Sequence, residues 1–185
     1  MPYFDCPDPV LEETWYFRWW VFRKHIKDTG RGRIITDFLP RVPWAGPYNS
    51  INGANGHHIA EARWLKQDRS LVREYLAFWL RGEGQETSYS SWLADTVYQY
   101  ALVSGEEALA VDFLPGLVSF YESVEAFNLT KYGLFWSCDD RDAMELSISG
   151  SGLRPTLNSY MYGNAAAIAA IAEWAGKEEI RELYN

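Results

Sequence analysis

The sequence predicts an all-α fold built of helical hairpins that stack side by side. Apolar residues recur every three to four positions along most of the chain, which is the spacing of one buried helix face, and the alternation typical of strands is scarce. Long loops rich in Pro, Gly and Asn alternate with short glycine turns between helices. This alternation favours an α/α solenoid or toroid with its long loops on one rim, where we expect the functional site.

The first helix is predicted over residues 9–27, opened by Asp8 and Pro9, and a long irregular loop follows it. The next two helices are expected from residue 51 or 55 to 65 and from 68 to 80, with Asp68 as the N-cap of the second. Together they form a hairpin.

Later helices follow the same rhythm of a long loop, a helix, a short turn and a helix. Ser90 or Ser91 is the expected N-cap after the second long loop, because a hydroxyl can accept from the first free backbone N–H groups of a helix. The predicted ranges are 92–103, 106–127, 156–174 and 177–184.

Composition limits the function. The chain has 185 residues, 48% hydrophobic and 23% charged, which is typical of a single soluble domain spanning residues 1–185. A net charge of −8 disfavours nucleic acid as a partner, because binding phosphates needs clustered Lys and Arg. No targeting or membrane-spanning segment is recognised, so a soluble, cytoplasmic chain is expected, although a full-length parent could be exported. Neither a metal nor a cofactor is expected.

Aromatic residues make up 16% of the chain, with nine Trp and twelve Tyr. Their rings pack between helices, and they also line sugar-binding clefts because a ring face stacks on the C–H face of a pyranose. Most of them are expected in the core, and a minority at a site.

The segment FWSCDDRDAMELSISGSG, residues 135–152, concentrates four carboxylates at one turn: Asp139, Asp140, Asp142 and Glu145. A solvated turn with capping aspartates is one interpretation, but the adjacent Trp136 wall and the flexible SISGSG return argue for a site. Calcium would need a third ligand in register and a glycine, which are missing. A terpene synthase-like magnesium site would need an acidic residue where Ala143 stands. Glycoside hydrolysis needs a carboxylic acid whose pKa is raised by burial or by like charges.

YGLFWSCDDRDAMELSISGSGLRPTLNSYMYGNAAAIAAIA, residues 132–172, resembles the central segment of six-hairpin (α/α toroid) glycosidases, the group of processing α-glucosidases and mannosylglycerate hydrolases. In that group a segment SGxDxSP carries the general acid, and LNxxxYxxxxAxAxIA follows on the next helix. The resemblance places Ser137 to Asp140 over SGxD and implies Asp139 as the acid, before Asp140. Asp142 and Glu145 are the other catalytic candidates, since Arg141-Asp142 replaces the Ser-Pro pair.

The segment FLPRVPWAGPYNSINGANGHHIAEARWL, residues 38–65, resembles the first hairpin of the same group, where a W-x-W-D-S element contacts sugar. The family's aspartate is missing here. His57 and His58 either cap and support the helix or contact substrate, and no Cys or Asp stands at metal-ligand spacing from them. Trp92 either lines the cleft or packs in the core. The substrate-binding candidates are Trp44, Tyr48, Asn49, His57, His58, Tyr89, Trp92, Trp136, Asn158 and Tyr160.

The resemblance implies a hydrolase of a neutral oligosaccharide or glycoside, acting by inversion with its base outside this chain. Seven predicted helices are a little over half of the twelve in six hairpins, so we expect the N-terminal part of a catalytic domain. Self-association or association with a missing C-terminal half is the expected partnership. A non-catalytic carbohydrate-binding or scaffold helical-hairpin protein is the alternative.

Overall fold

A computed structural model describes residues 2–142, 144–148 and 150–185 of the chain. Ala143, which interrupts the magnesium motif considered above, lies outside the described residues. The all-α prediction is confirmed, and each predicted helix exists with its ends within about four residues of the expected positions. The helices are α1 (Pro9–His25), α2 (Asn55–Ala62), α3 (Ser70–Arg81), α4 (Leu93–Ser104), α5 (Glu107–Asn128), α6 (Pro155–Trp174) and α7 (Glu178–Tyr184).

The helices pack in two layers. In the inner layer α2 contacts α4, and α4 contacts α6; in the outer layer α3 contacts α5, and Tyr121 of α5 meets Tyr184 of α7 at 5.0 Å between ring centroids. Each inner helix pairs with the outer helix that follows it, which gives the hairpins α2/α3, α4/α5 and α6/α7. The core between the layers is apolar, with fully buried side chains that include Leu71, Tyr75, Leu93, Val97, Phe113, Leu117 and Ile168.

A short antiparallel hairpin of β1 (Ile26–Asp28) and β2 (Arg33–Ile35) was not anticipated. Three residues per strand are too few for an alternating pattern to be recognised. Ile34 and Ile35 are 1% exposed and pack on the core. The guanidinium of Arg33 holds the hairpin to α3 through Asp68, at 2.6 and 2.9 Å, and through Glu74.

The helix caps were predicted with mixed success. Asp8 caps α1, because its side chain accepts from Val10 N at 2.9 Å and from Leu11 N. The N-cap position of α3 is Arg69, one residue after the predicted Asp68, and the Asp68 carboxylate is engaged by Arg33. Neither Ser90 nor Ser91 caps α4.

The α4 N-terminus is capped from another helix. The Oδ1 atom of Asn164 in α6 accepts from Ala94 N at 3.0 Å and from Asp95 N at 3.3 Å, while its Nδ2 donates to Ser91 O at 3.0 Å. Asn164 is fully buried, so these are hydrogen bonds in the dry interior. One side chain therefore ends the second loop, starts α4 and holds α6 against both.

The long loops meet on one rim, as the spacing predicted. They cover residues 36–54, 82–92 and 129–154, and each one leads into an inner helix. Asn52 of the first loop donates to the carbonyls of Glu86 and Tyr89 in the second, at 2.6 Å each. Ser90 N of the second loop donates to Arg141 O of the third at 2.7 Å. The rim is thus a continuous hydrogen-bonded surface.

Replacing Asn164 by Ala should lower the free energy of unfolding by about 2 kcal/mol, because two N–H groups of α4 and the Ser91 carbonyl lose their buried partner. Urea unfolding followed by circular dichroism measures this. Asn128→Ala is the matched control and should cost less than about 1 kcal/mol, since this half-buried side chain donates one hydrogen bond, to Trp136 O. Equal losses in the two variants would contradict the capping role.

Candidate functional site on the loop-bearing rim

Three of the predicted substrate-binding residues form a row of rings across the inner helices. His57 of α2 meets Trp92, which directly precedes α4, at 4.7 Å between ring centroids, and Trp92 meets Tyr160 of α6 at 4.8 Å. His57 is exposed, and the other two are half-buried. We call these three residues the aromatic row.

Trp92 is held in place by close packing. A Cβ atom added to Gly56 would lie 2.4 Å from Cε2 and Nε1 of the Trp92 ring and 2.8 Å from Thr96 Oγ1. Glycine at 56 therefore allows α2 to approach the indole closely. The aromatic row is therefore closely packed against the inner helices. Sugar-binding sites commonly use such an aromatic wall.

The acidic loop is organised around Arg154, a residue that the sequence analysis did not single out. Its guanidinium is 4% exposed and forms ion pairs with Asp139 and with Asp142, which is itself fully buried. It also donates to Gly150 O at 2.6 Å and to Met144 O at 2.7 Å. We call Arg154 with these two aspartates the Arg154 clasp.

The clasp changes the electrostatics expected for Asp139. Clustered carboxylates were expected to raise the pKa of the acid. The hydrogen bond from Arg154 instead lowers the pKa of Asp139, and Ser147 and Leu146 N also donate to that carboxylate. The expected raised pKa is therefore wrong for Asp139, because a cation lies between the two aspartates.

The other two carboxylates of the loop are exposed. Asp140 lies 3.9 Å from the Arg141 guanidinium and is 77% exposed at its side chain. Within the described residues, the Glu145 carboxylate has neither an ion pair nor a hydrogen bond. Its neighbours are fixed, since Met144 O accepts from Arg154, and Leu146 N, at φ 59°, donates to Asp139 at 3.0 Å. The clasp thus holds the backbone on both sides of Glu145.

The aromatic row and the acidic loop are neighbours. Burial, and after it the negative charge of Asp142, raise the pKa of Tyr160, which belongs to the row. Asn158, two residues earlier in the chain, supports the same loop by accepting from Phe135 N, at 2.9 Å, and donating to Phe135 O, at 2.8 Å. These contacts show that α6 supports the acidic loop.

Tyr89 and Trp136 line a cavity of about 130 Å³ between the second and third loops. Cys138 and Arg141 line it too, and the Arg141 guanidinium lies 4.9 Å from the centre of the Tyr89 ring. Trp136 is 42% exposed. These two aromatic residues are therefore on the rim, beside the acidic loop.

The remaining candidates lie in the first loop. Trp44 is exposed and packs against Phe38, and Tyr48 lines a cavity of about 200 Å³ with Phe78. The Asn49 amide donates to Phe38 O at 2.7 Å and accepts from Val42 N at 3.0 Å, so it is engaged in folding the loop. The described contacts of these three residues are not with the aromatic row.

His58 belongs to a buried polar cluster with Asp37, which the sequence analysis missed. Asp37 Oδ2 accepts from Ile51 N at 2.7 Å, Asp37 Oδ1 lies 3.9 Å from His58 Nε2, and His58 Nδ1 bonds the Tyr75 hydroxyl at 2.8 Å. Burial raises the pKa of Asp37 to about 6 and lowers the pKa of His58 to about 4. His58 is therefore neutral at pH 7 and ties the first loop to α3.

Two further features are absent from the part of the chain that the structure describes. No group of three or more His, Cys, Asp or Glu side chains is arranged to hold a metal ion there. No helix there is long and apolar enough to cross a bilayer.

Comparison with known proteins identifies similar chains. The model of a family described as "Mannosylglycerate hydrolase MGH1-like glycoside hydrolase domain" matches residues 47–185. A solved structure named "Sialidase" is 39% identical, with a TM-score of 0.92, over 97% of this chain and 17% of that chain. This chain thus spans less than a fifth of that protein's length. A search of curated proteins found no match.

The Asp37–His58 pair should contribute little pH dependence to the free energy of unfolding between about pH 4 and 6. The folded pair holds one proton there, on Asp37, and the unfolded pair also holds one, on His58, whose ordinary pKa is 6.5. Each single substitution should reveal the pH dependence of stability that the remaining group contributes. Asp37→Asn leaves His58, so the free energy of unfolding should fall as the pH drops from 6.5 towards 4.

His58→Gln leaves Asp37, whose folded pKa is raised, so the free energy of unfolding should instead rise as the pH drops through 6. About 2–3 kcal/mol is expected across each window, from a shift of roughly two pH units. Urea unfolding from pH 4 to 7 measures both slopes, and the double variant is the control. Slopes of the same sign in the two single variants, each taken relative to the slope of the double variant, would refute the pairing.

Proposed function

This chain belongs to the mannosylglycerate hydrolase MGH1-like glycoside hydrolase family, within the six-hairpin glycosidase-like group, and from that premise we propose a function. It forms part of an enzyme that hydrolyses a neutral oligosaccharide or glycoside. One observation supports the choice of catalytic residue. The Arg154 clasp engages two of the four loop carboxylates and leaves Glu145 unpaired among the described residues, beside a rim that carries aromatic rings.

Glu145 is the proposed general acid. An acid has to hold a proton when substrate binds, and hydrogen bonding to a cation favours the ionised carboxylate, which disfavours Asp139 in this role. Asp142 is fully buried beneath Arg154 and out of a substrate's reach. Asp140 faces the Arg141 guanidinium. Glu145 is exposed in the free protein, so a substrate bound at the rim can reach its carboxylate.

Hydrolysis then proceeds as a single displacement at the anomeric carbon. Glu145 gives its proton to the glycosidic oxygen as the bond between that oxygen and the anomeric carbon breaks. A water molecule adds to the anomeric carbon from the opposite face and passes its proton to a second carboxylate. In an inverting enzyme the two carboxyl groups lie roughly 6.5–9.5 Å apart. We assign that base to a residue outside these 185.

The proposed substrate is neutral at the reacting sugar. The aromatic row offers apolar ring surface with polar edges, which suits a pyranose. The net charge of −8 disfavours polyanionic substrates. The solved structure named "Sialidase" makes an anionic sialoside the competing substrate, and its carboxylate would have to approach the acidic loop.

Assays with aryl glycosides of several neutral sugars, and with an aryl sialoside, test the proposal. They should use the chain alone and the longer polypeptide that contains it. Turnover of a neutral glycoside is expected, and only with the longer polypeptide. Turnover of the sialoside alone would overturn the neutral substrate, and sugar binding without turnover in either preparation would establish a non-catalytic carbohydrate-binding protein.

Glu145→Gln should lower kcat by about 10²–10⁴-fold on glycosides with a poor leaving group, because the general acid is lost. The loss should be much smaller with dinitrophenyl glycosides, whose leaving group departs without protonation. Asp140→Asn is the matched control in the same loop and should stay within about threefold of the wild type. If Glu145→Gln slowed both kinds of substrate equally, its role as the acid would be wrong.

We also propose that the chain associates with a second copy or with further polypeptide. Large apolar side chains are exposed on five helices, among them Phe17 and Trp20 of α1, Tyr162 of α6 and Leu183 of α7. Light scattering on the purified chain should therefore give a mass above 21.3 kDa. A single monomeric species across the micromolar range would contradict self-association.

A further inference from the structure

A cavity with a mixed polar and apolar lining extends from the aromatic row along the facing surfaces of α2 and α4. Its volume is about 220 Å³. His57, Ala60 and Arg63 line it from α2 and the residue after it, at three-residue spacing, which is one helix face. Trp92 and then Asp95 and Gln99 of α4 line it from the opposite side.

Asp95 presents a carboxylate to this cavity. Its backbone N–H is satisfied by Asn164, but within the described residues its side chain has no ion pair and no hydrogen bond. Gly163 of α6 lies next to it, where an added Cβ atom would be 3.8 Å from Asp95 Cβ and 4.0 Å from Cγ. Because Gly163 has no side chain, α6 leaves the carboxylate uncovered.

Arg63 supplies the opposite charge to the same cavity. Its Nε atom is buried and donates to no described atom. No ion pair joins it to Asp95 in the described part of the chain, although both line the cavity. A buried donor without a partner costs free energy, and a ligand that accepts a hydrogen bond would recover it.

We propose that this cavity is a pyranose-binding subsite in which Asp95 accepts hydrogen bonds from sugar hydroxyls, Arg63 donates to them, and Trp92 contacts the ring. A hydroxyl both donates and accepts, so adjacent hydroxyls of one sugar satisfy a carboxylate and a guanidinium together. The inference rests on the proposed function, because it gives the substrate of that function a second contact surface. Asp95 was not among the site residues predicted from sequence.

Binding of the methyl glycopyranosides of glucose, mannose and galactose tests the subsite, by saturation-transfer NMR and calorimetry on the longer polypeptide. Asp95→Asn should weaken the best of the three about tenfold, since it removes a charged acceptor and changes little volume. Asp5→Asn, which loses the same charge at an exposed N-terminal position, is the matched control and should bind like the wild type. Unchanged binding by Asp95→Asn would overturn the subsite.

Gly163→Ala separates binding from folding. The added methyl group fits at ordinary contact distance, and alanine favours a helix over glycine, so the melting temperature should stay the same or rise. The same methyl group partly covers Asp95, so the affinity should fall at least threefold. A stable variant with unchanged affinity would count against the subsite.

The assays distinguish this inference from the proposed function. If Glu145→Gln abolishes turnover while Asp95→Asn changes neither KM nor binding, the function stands and the subsite is wrong. If Asp95→Asn raises KM and weakens binding with kcat nearly unchanged, both are supported. A wild-type protein that hydrolyses aryl glycosides but binds none of the three sugars also overturns the subsite.

Discussion

The rim of this protein depends on one buried cation. Arg154 is almost wholly removed from water, which would be costly without opposite charge and hydrogen-bond acceptors close by. Two aspartates and two backbone carbonyls supply them, drawn from both ends of the acidic loop. Leu146 and Ile148 do not hold the middle of this loop, since both point into solvent. Its order therefore comes from a polar centre.

Buried asparagines perform a similar task between the loops and helices. Asn52 joins the first loop to the second, and Asn164 joins the second loop and α4 to α6. A carboxamide carries donors and an acceptor together, so one side chain can satisfy both kinds of backbone group. These links place His57, Trp92 and Tyr160 at fixed positions although they come from three different hairpins. Such preorganisation is what a binding surface requires.

The helices could be predicted from sequence because their signals are local. Apolar spacing marks the buried face, and glycines such as Gly82 and Gly105 end the segments. The cap of α4 could not be predicted, since Asn164 is 70 residues from the backbone N–H that it accepts from. The short β-hairpin was missed because its strands are too brief to show a period.

The sequence pointed to the rim loops as the candidate site, but the charge contacts in the acidic loop differ from those expected. Four clustered carboxylates drew attention to the acidic loop, and the family resemblance selected Asp139 among them. Sequence spacing does not show which charges will meet, so the insertion of Arg154 between Asp139 and Asp142 was not foreseen. Asp37 was missed because it precedes the segment that carries the resemblance. Asp95 was missed because a lone aspartate in the first turn of a helix is a common feature.

The contact between Gly56 and Trp92 has a consequence for how this surface can evolve. While the indole is present, any side chain at position 56 would overlap it, so the two positions are not free to change one at a time. Loss of the large ring has to come first, and a larger residue at 56 can only follow it. Positions 56 and 92 are therefore expected to change together during evolution. Relatives that recognise different ligands should differ at both of them.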